Sequence, residues 1–158
     1  MPTTETAPTG HDWAPLLRAH GLRVTKQRLA VLGALDGTPH ASAEAVHAAA
    51  QSAGLAGLTL QAVYLILADL TRAGLARRVD APRQSARYET RVGDNHHHIV
   101  CEVCGRIEDV DCVVGEAPCL EPADARGFVV HRAEITFSGV CAECLARPEP
   151  EPPTPPAA

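Results

Sequence analysis

The chain has 158 residues, of which 46% are hydrophobic, enough to bury one ordinary core or two small ones, and this excludes a wholly disordered chain. No stretch approaches the length of an apolar membrane span, and the opening MPTTETAPTG has neither the basic start nor the apolar centre of a secretory signal, so a cytoplasmic protein with no membrane partner is expected. The net charge of -5 hides an asymmetry: residues 11–92 carry ten Lys/Arg against six Asp/Glu, whereas residues 93–158 carry four against twelve, so the first part suits phosphate and the second does not.

Residues 1–10 and the Pro-rich tail 147–158 hold too few apolar groups to offset the entropy of ordering and are expected to be disordered. Between them, residues 12–20 read as a short helix closed by Gly21. Thr25 is placed to cap KQRLAVLGALD, with Leu29, Leu32 and Leu35 at helical spacing and Gly37 past its end. Ser42 caps AEAVHAAAQSA up to Gly54, and Thr59 caps a fourth helix running to about Ala73 before Gly74. Successive short helices with Gly-containing joints suggest a helix-turn-helix.

In the fourth helix Val63, Ile66, Leu67 and Leu70 form the inner stripe, leaving Gln61, Tyr64, Leu65, Ala68 and Arg72 outward. LARRVD and SARYETR then read as two strands joined by APRQ, with arginines at 77, 78, 83, 87 and 91. A basic two-stranded ribbon after such a helix is a wing, and the expected partner is double-stranded DNA. The candidate contacts are Thr59, Gln61, Tyr64 and Arg72 on the helix with Arg77 and Arg78 on the wing. Leu65 either meets a thymine methyl or is a surface leucine. His11, His20 and His47 read as solvent-facing.

Residues 11–92 are thus a winged-helix domain, with a hinge at VGDN (92–95). From His96 the pattern changes: HHHIVCEV, RIEDVD and FVVHRAEITF read as strands around a helical stretch near 116–125, a small α/β domain over 93–146. The fold class is α+β.

Cys101-x-x-Cys104 and Cys141-x-x-Cys144 form two knuckles. Four thiolates suit one tetrahedral Zn2+ with no open position, a structural ion for a domain with little core of its own. Paired redox dithiols would need a thioredoxin-like context that is absent. His96 and His98 share one face of their strand while His97 points away. An H-x-H pair with Glu89 and Asp109 nearby in sequence is a nitrogen/oxygen metal site suited to iron, manganese, zinc or nickel. Cys112 and Cys119 lie outside the knuckles and are either buried small hydrophobes or possible redox thiols forming a regulatory pair.

The ordered segments GLRVTKQRLAVL, PHASAEAVH, TLQAVYLILADLTRAGLARR, ARYETRVGDNHHHIVCEVCG and GVCAEC resemble the Fur (ferric uptake regulator) family of dimeric, metal-dependent winged-helix repressors over about residues 12–145. The pattern is most similar to the peroxide-sensing branch, especially actinobacterial repressors associated with catalase-peroxidase genes. The resemblance implies a homodimer on a palindromic operator and a regulatory Fe2+ or Mn2+ bound by His40, Glu89, His96, His98 and Asp109. It also implies a second metal site that would recruit His97, Glu116 and His131, for which Asn95 is a poor additional ligand. Asp109 is the residue usual in the peroxide branch. Glu89 departs from it, since aspartate is frequent there, and this keeps an iron- or zinc-responsive uptake repressor as the alternative. A metalloenzyme is disfavoured, because no acid/base pair or nucleophile remains once these ligands are assigned.

Overall fold

The computed structural model describes residues 11–80, 84–94, 96–111, 125–129 and 135–147. They divide into two compact units, with the boundary after Asp94.

The first unit begins with α1 (Trp13–Ala19), whose N-terminus is capped by the Asp12 carboxylate accepting from the Ala14 amide at 3.2 Å. Three further helices use the same device with hydroxyls: Thr25 caps α2 (Lys26–Gly37), Ser42 caps α3 (Ala43–Ser52) and Thr59 caps α4 (Leu60–Arg72), each oxygen accepting an amide at 3.2 Å. Such a cap satisfies one of the orphan donors of the first turn. The helix α2 runs one residue further than the sequence suggests, taking in Gly37, with Thr38 as its C-cap. Gly74, at φ 74, turns the chain out of α4 in a conformation that other residues rarely adopt.

A single core joins these helices: Leu17 of α1, Val31, Leu32 and Leu35 of α2, Val46 of α3 and Val63, Leu67 and Leu70 of α4 are buried together. Leu29 packs at its margin. His47 is drawn inward rather than facing solvent, with Nε2 2.7 Å from the Leu58 carbonyl oxygen, so α3 is tied to the loop that leads into α4.

After α4 come β2 (Arg77–Val79) and β3 (Arg87–Glu89), antiparallel, with Arg77 opposite Glu89. A two-residue strand that the sequence did not announce, β1 (Ala41–Ser42), pairs with the other edge of β3, giving the order β1-β3-β2. The segment is too short for any period to be visible; it becomes a strand only because β3 offers it an edge.

The second unit is built on β4 (His96–Cys101), flanked by antiparallel β5 (Ile107–Asp111) and parallel β6 (Thr136–Gly139). The short helix α5 (Ala142–Leu145) follows. Of the strand expected over FVVHRAEITF, Phe128 and Val129 follow a turn closed by the Phe128 amide on the Ala125 carbonyl, residues 130–134 lie outside the described residues, and β6 covers Thr136 and Phe137 and continues to Gly139. The helical stretch expected near 116–125 falls almost wholly on 112–124, outside the described residues. Among the described residues no helix is long and apolar enough to cross a membrane. The architecture is α+β, with a winged helix-turn-helix unit followed by a small unit that carries the cysteine pairs.

Leu67 and Leu65 stand on opposite faces of α4, one fully buried and the other exposed. Leu67→Ala is expected to destabilise the protein by about 2–5 kcal/mol, whereas Leu65→Ala should stay within about 0.5 kcal/mol of the parent. Urea unfolding of the two variants checks this, and comparable losses would contradict the assignment of the two faces.

Candidate metal centres

The cysteine site grows out of the end of β4. Cys101 is the last residue of that strand, and the chain turns back through Gly105, at φ 74, whose amide donates to the Cys101 carbonyl at 2.8 Å. Cys104 lies within this turn. The parallel partner β6 delivers the second pair, because Cys101 is in register with Gly139, and Cys141 then stands at the N-cap of α5 with Cys144 within the helix. The Cys141 amide donates to Cys101 Sγ at 3.3 Å, and Cys104 Sγ lies 3.7 Å from Cys141 Sγ.

All four sulfurs lie within 4.8 Å of one another. A tetrahedron with zinc–sulfur bonds of about 2.3 Å has sulfur–sulfur edges of about 3.8 Å, whereas a disulfide needs about 2.05 Å. The four cysteines are free thiols, and they fit a zinc site. Their ionisation is split. Backbone amides of Cys104 and then Cys141 pull the Cys101 thiol down to about 6, whereas burial, followed by hydrogen bonding with Cys141 and the other sulfurs, pushes Cys144 up to about 12. Crowded sulfurs cannot all ionise against each other's charge; a bound divalent cation removes that penalty.

The nitrogen and oxygen ligands expected from the sequence are distributed over the two units. In the first, His40 Nε2 lies 3.0 Å from Glu89 Oε2. Glu89 is only 1% exposed, and Arg77 places Nε 3.9 Å from its other oxygen. His40 sits just before β1 with its backbone in the left-handed region at φ 59. Non-glycine residues seldom adopt this conformation, and functional sites are where it concentrates.

In the second unit strand alternation puts His96 and His98 on one face of β4, 3% and 2% exposed. Their rings are 5.0 Å apart and nearly perpendicular. Asp109 is the register partner of His98, and its Oδ1 lies 3.5 Å from His98 Nε2 and 3.8 Å from His96 Nε2. His97 faces the other way, with its ring 6.2 Å from that of Phe137. Its expected companions Glu116 and His131, like Cys112 and Cys119, lie outside the described residues.

On α4 the outward residues Gln61, Tyr64, Leu65, Ala68 and Arg72 are all exposed. The Tyr64 hydroxyl donates to Glu44 at 2.7 Å, which holds the Glu44 carboxyl below its ordinary range and raises the phenol. Arg72 is paired with Asp69 at 3.1 Å, and Thr59 is engaged as the helix cap. The two wing arginines are separated by strand alternation: Arg78 is exposed and pairs with Asp80 at 2.9 Å, whereas Arg77 turns inward beside Glu89. Glu44 was missed in the sequence because nothing local links it to a residue twenty positions away. The inward course of Arg77 could have been inferred from its alternation with buried Val79.

If the four sulfurs share one structural ion, Cys101→Ser leaves an incomplete tetrahedron. The variant is expected to lose its zinc and the ordered second unit while keeping the helical first unit. Elemental analysis and circular dichroism of the purified variant check this, and full zinc content in a folded variant would overturn it.

Comparison with known proteins agrees with these features. Residues 19–138 match the model of the Ferric uptake regulator family. The chain is 51% identical over 133 residues to the transcriptional regulator FurA of Mycobacterium tuberculosis, covering 84% of this chain and 90% of that protein. It is 50% identical over 128 residues to the Ferric uptake regulation protein 1 of Mycolicibacterium fortuitum, covering 81% and 79% respectively. Among solved structures, the Vibrio cholerae ferric uptake regulator superposes with a TM-score of 0.66 at 27% identity, covering 82% of this chain and all of that one. The Pseudomonas aeruginosa regulator solved with manganese gives 0.63 at 27% identity, over 84% and 99%. Members of this family are metal-dependent transcriptional regulators that bind DNA as dimers, and they are not enzymes. The family model spans most of the chain and the FurA relative is half identical over 84% of it, so the chain belongs to the ferric uptake regulator family.

Proposed function

We propose that this protein is a cytoplasmic, homodimeric repressor that holds Zn2+ in its four-cysteine site and binds a palindromic operator when a regulatory Fe2+ or Mn2+ is present. In this reading His40 and Glu89 of the first unit and His96, His98 and Asp109 of the second are the regulatory ligands. The observation that carries it is the burial of imidazoles against carboxylates in both units: His40 on Glu89, and His96 and His98 on Asp109. Such hard, mixed donors suit iron and manganese rather than a thiophilic ion. Ligands contributed by both units let the metal favour one arrangement of the dimer and so bias operator binding.

The exposed face of α4 and the solvated Arg78 support DNA as the partner, and the excess of basic residues in 11–92 supplies the long-range attraction. Exposed Ile99, Phe137, Val140 and Leu145 in the second unit support dimer formation.

The regulated signal in this reading is peroxide, and the regulated genes are those of catalase and the oxidative-stress response. Ferrous iron, if held by these residues, would supply one-electron reduction of hydrogen peroxide, and in this reading His40 and His96 are the ligands that would take up oxygen, with loss of the ligand set and release of DNA. Iron sensing without peroxide chemistry is the second reading, favoured by glutamate at position 89 and by the naming of the Mycolicibacterium relative for ferric uptake regulation.

His96→Ala is expected to abolish metal-dependent DNA binding while zinc content and dimer remain. A brief peroxide pulse should add oxygen to His40 or His96 in the iron-loaded protein and not in the manganese-loaded one. Operator titration against iron, manganese and zinc, followed by peptide mass spectrometry, reads both. Unmodified histidines with unimpaired DNA binding after peroxide would move the assignment to iron sensing. Reductant-reversible loss would move it to the cysteines.

A further inference from the structure

Arg77 is a wing arginine that does not behave as one. It stands on the inner face of β2 with its side chain only 17% exposed, directly across the strand pair from Glu89, and its Nε lies 3.9 Å from Glu89 Oε1. The opposite oxygen of the same carboxylate faces His40 Nε2 at 3.0 Å. A carboxylate this deeply buried is costly to keep ionised without a counter-charge, and the guanidinium, charged at every physiological pH, is a group that supplies one. The same cation lies close enough to a ligand oxygen to repel a divalent ion and to take up part of the negative charge that would hold it.

We propose that Arg77 sets the affinity of the regulatory metal site: its guanidinium balances Glu89 when no metal is bound and opposes metal binding there, so that the site fills only at a raised metal concentration. Arg77 is thus a positioning residue for Glu89 and not a phosphate contact. Strand alternation separates the two roles on adjacent residues, since Arg78 points to solvent. The inference rests on the reading of His40 and Glu89 as ligands.

The test is Mn2+ titration of the full-length, zinc-loaded protein, with free Mn2+ followed by its electron paramagnetic resonance signal. Arg77→Met is expected to tighten the Mn2+ dissociation constant by about tenfold, and Arg77→Lys, which restores the charge, to return it to within about twofold of the parent. Thermal unfolding gives an independent sign: without Mn2+ Arg77→Met should melt below the parent, and the rise in Tm on adding Mn2+ should be larger in the variant.

An unchanged or weaker affinity in Arg77→Met overturns the proposal, as does an Arg77→Lys variant that is as tight as Arg77→Met. If Arg77→Met does not fold, Arg77→Gln takes its place with the same expectation, and failure of both to fold would make Arg77 a purely structural residue and overturn the proposal. Glu89→Gln separates the two layers of the argument. If it binds Mn2+ like the parent, the ligand assignment fails and this inference with it; if it loses Mn2+ while Arg77→Met is unchanged, only the role of Arg77 fails.

Discussion

A carboxylate buried at the end of a wing strand is expensive unless positive groups reach it, and much of the first unit is arranged around that requirement at Glu89. It lies on β3, the central strand of its sheet. From one side β1 places the preceding residue, His40, against it; from the other, β2 brings Arg77. The three strands together bring His40 and Arg77 to this carboxylate, so the wing sheet also fixes the surroundings of Glu89. The left-handed backbone of His40 belongs to the same arrangement.

The second unit is organised differently. Among its described residues Val100, Cys101 and Ile107 are the buried apolar groups, and the four sulfurs gather at the end of the strand that carries Val100 and Cys101. Gathering them needs the parallel pairing of β4 and β6, which aligns Cys101 with Gly139 and places Cys141 just beyond it. A metal there would tie the end of the sheet to α5.

Charge on the candidate DNA-facing surface is held in place before any duplex arrives. Asp69 accepts from Arg72 of α4, and Asp80 holds Arg78. Exposed pairs of this kind contribute little to stability, but they orient long side chains and can be exchanged for phosphate at small cost. Glu44 does the same for Tyr64, fixing a large aromatic ring on the outer face of α4.

The helices were legible in the chain because their signals are local: Thr25, Ser42 and Thr59 announce their own first turns, and the buried stripe Val63, Ile66, Leu67 and Leu70 has the period of the helix that carries it. The cysteine pairs and the His96–His98 face were legible for the same reason, since ligand spacing and strand alternation are properties of a few consecutive residues. What local pattern could not decide was pairing across the chain: that Ala41–Ser42 becomes a strand, that β6 runs Thr136–Gly139, that Tyr64 meets Glu44, and that of two adjacent arginines Arg77 meets Glu89 while Arg78 meets Asp80. These depend on register and on which edge a strand finds, and such choices are fixed by contacts between residues far apart in sequence, which only the folded chain brings together.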